Sequence, residues 1–88
     1  MKRRSERSGA LSTKAYVLIE TNVGKTKDVL TALRNINGIR EADAVTGEYD
    51  IVAVVESDSL NNIGELVTGS IHSIGGIQRT TTYLSIMD

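Results

Sequence analysis

Two short stretches carry the polar groups best suited to binding a small ligand. Thr46-Gly47-Glu48-Tyr49-Asp50 combines a hydroxyl, a phenol and a carboxylate around a glycine, and Thr80-Thr81-Thr82 adds three hydroxyls near the end of the chain. A carboxylate can hold an ammonium group, while hydroxyls and turn amides can hold a carboxylate, so the set suits a zwitterion. Two simpler readings stay open: Asp50 accepts N–H groups of its own turn, and the threonines serve β-propensity.

Residues for other chemistries are few. The chain has one histidine, His72, and no cysteine. We expect His72 to be solvated at the end of a helix rather than to bind a metal, and a lone histidine gives no nucleophilic set. Glycine-rich phosphate-binding motifs are absent from the sequence. We therefore expect no catalytic residue, no metal and no cofactor, and a protein that is not an enzyme.

The candidate turn leads into the most apolar stretch of the chain. Ile51 to Val55 are five apolar residues without a polar break. A strand that is wet on one face would alternate polar and apolar residues, so we expect both faces of this strand to be covered. Gly47 gives the preceding turn its backbone freedom.

The other elements follow from hydrophobic spacing and capping residues. Strands are predicted at 14–20, at 39–45 on a charged edge, and at 77–87; helices are predicted at about 24–35 and 60–74. Thr21-Asn22 and Ser57-Asp58-Ser59 are the expected N-terminal caps, and Asn37-Gly38 ends the first helix. Gly64 and Gly69 in the second helix indicate either close approach to a neighbour or plain tolerance.

This order of elements predicts an α+β fold. Strand, helix, strand, strand, helix, strand is a ferredoxin-like βαββαβ unit, with a four-stranded antiparallel sheet and both helices on one face. The first and third strands are apolar on both alternate sets, so the face without helices is apolar too. An exposed apolar patch of that size usually marks an interface. We therefore expect a homodimer that pairs sheet on sheet with two-fold symmetry.

Composition adds boundaries and exclusions. Residues 1–13 are polar and basic and are expected to form a flexible arm, and residues 14–88 one small domain. Residues 1–14 carry five basic residues and one acid, whereas 15–88 carry five basic and ten acidic residues. An acidic body with three tyrosines and no Phe or Trp argues against nucleic-acid binding. No membrane span or secretory signal is evident, so a cytoplasmic protein is expected.

Several stretches resemble one known family. Val45-Thr46-Gly47-Xaa-Tyr49-Asp50 is similar to the turn of the effector-binding (RAM) domain of Lrp/AsnC regulators. Ile36-Asn37-Gly38-Ile39 resembles that domain's helix-to-strand junction, and Gly76 to Tyr83 resembles its last strand. The resemblance extends over residues 15–86.

The resemblance implies a ferredoxin-like domain that pairs its sheets into a homodimer and assembles dimers into octamers or decamers. It implies an amino-acid effector bound between dimers, with Gly47, Tyr49, Asp50, Thr80 and Thr82 as ligand-binding residues. Family regulators carry an N-terminal helix-turn-helix domain, for which thirteen polar residues are too short. We therefore expect no direct DNA binding, and regulation of transcription through ligand binding or co-assembly with full-length regulators.

Two alternatives differ in class. A small dimeric α+β barrel oxygenase shares the topology and the sheet-on-sheet pairing, although one histidine and the lack of Phe and Trp argue against it. The other alternative is an assembly module that binds no ligand.

Overall fold

The structure, a computed structural model, describes residues 12–86. Its elements are β1 (Thr13–Thr21), α1 (Thr26–Arg34), β2 (Ile39–Ala44), β3 (Ile51–Ser57), α2 (Leu60–Glu65), a π-helical segment (Leu66–Ile71) and β4 (Ile77–Leu84). The strand and helix order is the one predicted. The predicted basic arm lies almost wholly outside the described residues, as does Met87, the last residue of the predicted final strand.

The four strands form one antiparallel sheet in the order β2-β3-β1-β4. The two strands with continuous apolar runs, β1 and β3, are the central pair, and β2 and β4 are the edges. This arrangement confirms the ferredoxin-like α+β fold and the edge position of β2. It also places the Thr80–Thr82 run on an edge strand, next to β1.

The core lies between the helices and one face of the sheet. Ala15, Val17 and Ile19 of β1 alternate with more exposed neighbours and are fully buried. They pack in one cluster with apolar residues of β3, of both helices and of the π-helical segment: Ile51, Ala53, Val55, Val29, Leu33, Ile63, Val67 and Ile71.

No helix within residues 12–86 covers the opposite face of the sheet. That face presents Leu18, Val52 and Val54, which are half-buried, and Tyr16 and Tyr83, which are 37% and 57% exposed. Leu18 lies opposite Val52, and Tyr16 lies between Val54 and Tyr83, so the five side chains form one continuous apolar patch. We call this surface the open face.

The caps of the two helices differ from each other. Ser59 accepts the N–H of Asn62 at 3.1 Å and caps α2, as the sequence predicted. The expected cap of α1 by Thr21-Asn22 is wrong: Lys25 takes the N-cap position without a side-chain hydrogen bond. Thr21 belongs to β1, and its hydroxyl contacts the Thr26 hydroxyl at 2.7 Å. A strand longer than predicted has removed it from the helix start.

The second helix does not continue to Ile74 in α-form as predicted. It widens into a π-helical segment at Leu66, and His72 N–H donates to the Val67 carbonyl at 2.9 Å. Buried Ile63, Val67 and Ile71 are spaced four apart. Because an α-helix has about 3.6 residues per turn, residues four apart move progressively away from the sheet-facing side of the helix. A π-helical turn contains more residues and brings such positions back toward that side. Gly64 and Gly69 have no neighbour within 4 Å of an added Cβ, which favours tolerance over close approach.

The outer edge of β2 is closed by a side chain from α1. Arg34 donates from Nε and one Nη to the Ala42 carbonyl, at 3.0 and 2.7 Å. Val45 N–H donates to Asp50 O, so by alternation Ala42 directs its backbone groups away from β3. The guanidinium therefore occupies an acceptor that another strand would need.

Candidate functional site

The Thr46–Asp50 turn lies between the end of β2 and the start of β3. Val45 N–H closes it by donating to Asp50 O at 2.9 Å. Gly47 has a φ of 146°, which strains any residue with a side chain, and the space around it is open. The glycine thus serves the backbone shape of the turn, as predicted.

Asp50 is anchored to the neighbouring strand. Its Oδ2 accepts the Thr21 N–H at 2.8 Å and the Thr21 hydroxyl at 3.1 Å. Thr21 is buried, so its N–H depends on this carboxylate for a partner. Asp50 N–H in turn donates to Ile19 O at 2.9 Å. One carboxylate oxygen therefore links the start of β3 to the end of β1. The hydrogen bonds of this carboxylate go to Thr21 and not to N–H groups of its own turn.

Tyr49 carries the turn across to the far edge of the sheet. Its hydroxyl is 2.8 Å from the Thr81 hydroxyl of β4, and its ring lies 5.0 Å below the Arg79 guanidinium. Thr81 pairs with Leu18, so this contact lies on the open face. The phenol is held by a hydrogen bond at one end and by a cation over its ring.

Arg79 is the centre of a charged cluster at the end of the open face. Its Nε donates to Glu20 Oε1 at 3.0 Å, and an Nη lies 3.6 Å from Glu48 Oε2. The hydrogen bond to Glu20, followed by Coulombic attraction to Tyr49, Glu20 and Glu48, raises the pKa of Arg79, so the guanidinium stays charged. The cluster therefore contains one cation, two carboxylates and an aromatic ring.

Thr80 and Thr82 lie on the other face of β4. They pair with Ile19 and Val17, whose side chains are in the core, so all four point toward the helices. The Thr80 hydroxyl is 3.1 Å from Nε2 of His72, which follows the π-helical segment. Within one chain the candidates therefore do not converge: the Tyr49 hydroxyl lies on the open face, the Asp50 carboxylate contacts Thr21 at the end of β1, and Thr80 and Thr82 lie on the helix side of β4.

Reasoning from the sequence missed Arg79 and Glu20, and it did not place Thr81 beside Tyr49. These three residues lie on β1 and β4, far from the turn in sequence, and the β1–β4 register brings them together. Aligning β1 and β4 as an antiparallel pair with Glu20 opposite Arg79 would have indicated the ion pair.

Within residues 12–86 no group of three metal-ligating side chains forms. In the same range no helix has the length and hydropathy needed to cross a bilayer.

Comparisons with known proteins place this geometry in a family. The sequence profile of the Lrp/AsnC ligand binding domain matches residues 14–87. An uncharacterised helix-turn-helix transcriptional regulator of Pyrococcus furiosus is 32% identical over 80 residues, which are 88% of this chain and 53% of the relative. The chain thus spans about half the length of the curated relatives it matches.

Solved structures agree with the profile. A Thermus thermophilus protein superposes with a TM-score of 0.83 at 30% identity, over 86% of this chain and 95% of that one. A Neisseria meningitidis transcriptional regulator, solved as a complex with L-methionine, shares the fold with a TM-score of 0.83 at 17% identity, over 100% of this chain and 58% of that one. The chain belongs to the Lrp/AsnC family of transcription regulators and carries its ligand-binding domain.

Proposed function

We propose that this domain is a non-enzymatic amino-acid sensor that works as an oligomer and modulates transcription through its partners. The observation that carries the proposal is the cluster around Arg79. Its guanidinium suits a carboxylate, and the neighbouring acids Glu20 and Glu48 suit an ammonium group. Charges of both signs beside an aromatic ring match a zwitterion better than they match a neutral or purely anionic ligand.

Two copies pair through the open face in this proposal. Burying half-exposed apolar side chains gains roughly 25 cal/mol for each Å² removed from water, and the patch spans three adjacent strands. A chain of 88 residues has a thin core, so such a gain is a large part of its stability. A homodimer is the proposed unit, and octamers or decamers of such dimers are the proposed assembly.

The ligand site is completed between copies. Tyr49 lies on the opposite side of the sheet from Thr80 and Thr82, so one chain cannot direct these three side chains at one small molecule. A contact between dimers supplies the missing half. The Neisseria protein of the same fold binds L-methionine, which supports an amino acid as ligand class. The relatives are named transcriptional regulators, which supports co-assembly with full-length regulators as the route to DNA.

The test is a thermal melting screen against the twenty L-amino acids, together with sedimentation velocity. A ligand at 100 times its Kd adds about 2.7 kcal/mol, which raises the melting temperature by roughly 10 °C or more in a domain of this size. At least one amino acid should raise the melting temperature, and the effect should weaken in Thr80→Val. The matched control is Thr68→Val, which removes an exposed hydroxyl from the π-helical segment.

Each outcome of the screen has a plain meaning. If no amino acid raises the melting temperature, the sensing proposal fails. If the chain still sediments as a dimer or larger, an assembly module without a ligand replaces it. If Thr68→Val and Thr80→Val respond alike, the site does not include Thr80.

A further inference from the structure

Resting on the proposed amino-acid site, we infer that Arg79 is the receptor for the ligand's carboxylate and that Glu48 occupies this receptor until a ligand displaces it. Glu48 is then a built-in competitor. Its carboxylate has the same charge and shape as the group that it excludes, and it lies in the turn that forms the site.

Arg79 is oriented before any ligand arrives. Nε is held by Glu20 at 3.0 Å, and the guanidinium carbon lies over the Tyr49 ring, 5.0 Å from its centroid. Tyr49 is in turn held by Thr81 through its hydroxyl. An arginine fixed at Nε and on one face presents its Nη groups in one direction, which is the geometry that a carboxylate binds with two parallel hydrogen bonds.

The two carboxylates on Arg79 are held with different strength. The Glu20 side chain is 31% exposed and makes a hydrogen bond across the β1–β4 pair. Glu48 is 76% exposed, and its oxygen is 3.6 Å from the Nη, beyond hydrogen-bonding distance. An exposed, loosely placed ion pair is weak and easily replaced. Glu20 is therefore the residue that keeps Arg79 in position, and Glu48 is the one that gives way.

The position of Glu48 in the turn allows it to leave. It follows Gly47, whose surroundings are open, and it precedes Tyr49, which is anchored to β4. Glu48 is exposed and lies within ion-pair distance of Arg79. Rotation of one side chain uncovers the Nη groups without disturbing Tyr49 or Asp50.

The test is isothermal titration of the full chain with each of the twenty L-amino acids and with their primary amides, which lack the carboxylate. Glu48→Gln removes the competing charge and keeps the side-chain length, so an amino acid that binds should bind roughly twofold to fivefold tighter, the range set by an exposed ion pair. Arg79→Gln should weaken binding about tenfold or more, and Arg79→Lys should restore only part of the loss because it lacks the fork. The amides should not bind.

The matched control is Asp43→Asn, which removes one exposed negative charge from β2, where Asp43 lies 3.8 Å from Arg34. It should bind like the wild type. If an amino acid binds the wild type but Glu48→Gln binds no tighter than Asp43→Asn, or if Arg79→Gln binds normally, the inference is wrong and the proposed function stands. If no amino acid binds the wild type or Glu48→Gln, both fail. Binding that appears only in Glu48→Gln supports both.

Discussion

Asp50 connects two strands through one carboxylate oxygen, and this contact makes a prediction at the scale of a single residue. Asp50→Ala leaves the buried Thr21 N–H without its partner and should lower the free energy of unfolding by about 1–3 kcal/mol. Asp50→Asn should lose less, because its amide oxygen can still accept that hydrogen bond. Urea denaturation measures both.

The control for this prediction is Asp43→Ala, a substitution of an exposed acid near the other end of the same turn. Surface changes of that kind stay within roughly 0.5 kcal/mol. An Asp50→Ala protein as stable as Asp43→Ala would show that water replaces the carboxylate, and Asp50 would then be free for a ligand.

At the scale of the elements, two glycines should respond in opposite directions to the same change. Gly76 precedes β4 with a φ of 99°, and an added Cβ would lie 3.0 Å from the Lys25 Cβ and 3.1 Å from Val29 of α1. Gly76→Ala should therefore destabilise the domain by more than ~1 kcal/mol. Gly64 lies in α2 with open space around it, so Gly64→Ala should stabilise by roughly 0.5–1 kcal/mol.

The two variants are matched controls for each other, since each adds one methyl group. Melting temperature and urea midpoint measure the difference. If the two variants change the stability equally, β4 can shift away from α1 without loss of stability. The close packing at Gly76 would then not determine the position of the strand.

The strands could be predicted because their information is local. Ile51–Val55 is apolar over consecutive residues, and that alone places β3 at the centre of the sheet. The π-helical segment could not be predicted, because the helix widens in order to keep Ile63, Val67 and Ile71 packed against the sheet. Hydrophobic periodicity along the sequence does not contain the position of that sheet. The turn residues of the proposed site could be named from the sequence, whereas Arg79 could not, because its contacts depend on the β1–β4 register.

At the scale of the whole molecule, the open face makes a prediction about assembly. Val54 lies in the middle of that face, opposite Tyr16 and Glu41, so Val54→Asp places a charge at the centre of the proposed dimer interface. A buried, unpaired carboxylate costs far more than the interface gains there. Val54→Asp should therefore sediment as a monomer at micromolar concentration.

The control is Val23→Asp, which adds the same charge at a fully exposed position in the loop between β1 and α1. It should sediment like the wild type. A Val54→Asp protein that keeps the wild-type sedimentation coefficient would place the interface elsewhere.

The Arg34 guanidinium on the Ala42 carbonyl has a consequence for how copies of the chain can join. It blocks one edge of the sheet, β2, and leaves the other edge, β4, available, since within residues 12–86 no comparable side-chain hydrogen bond lies along β4. A continuous fibril needs every subunit to accept a strand on one side and offer one on the other. Here two molecules that pair through their β4 edges would each have used the one edge available to them. No further molecule could add to the sheet, so strand pairing would stop at a dimer.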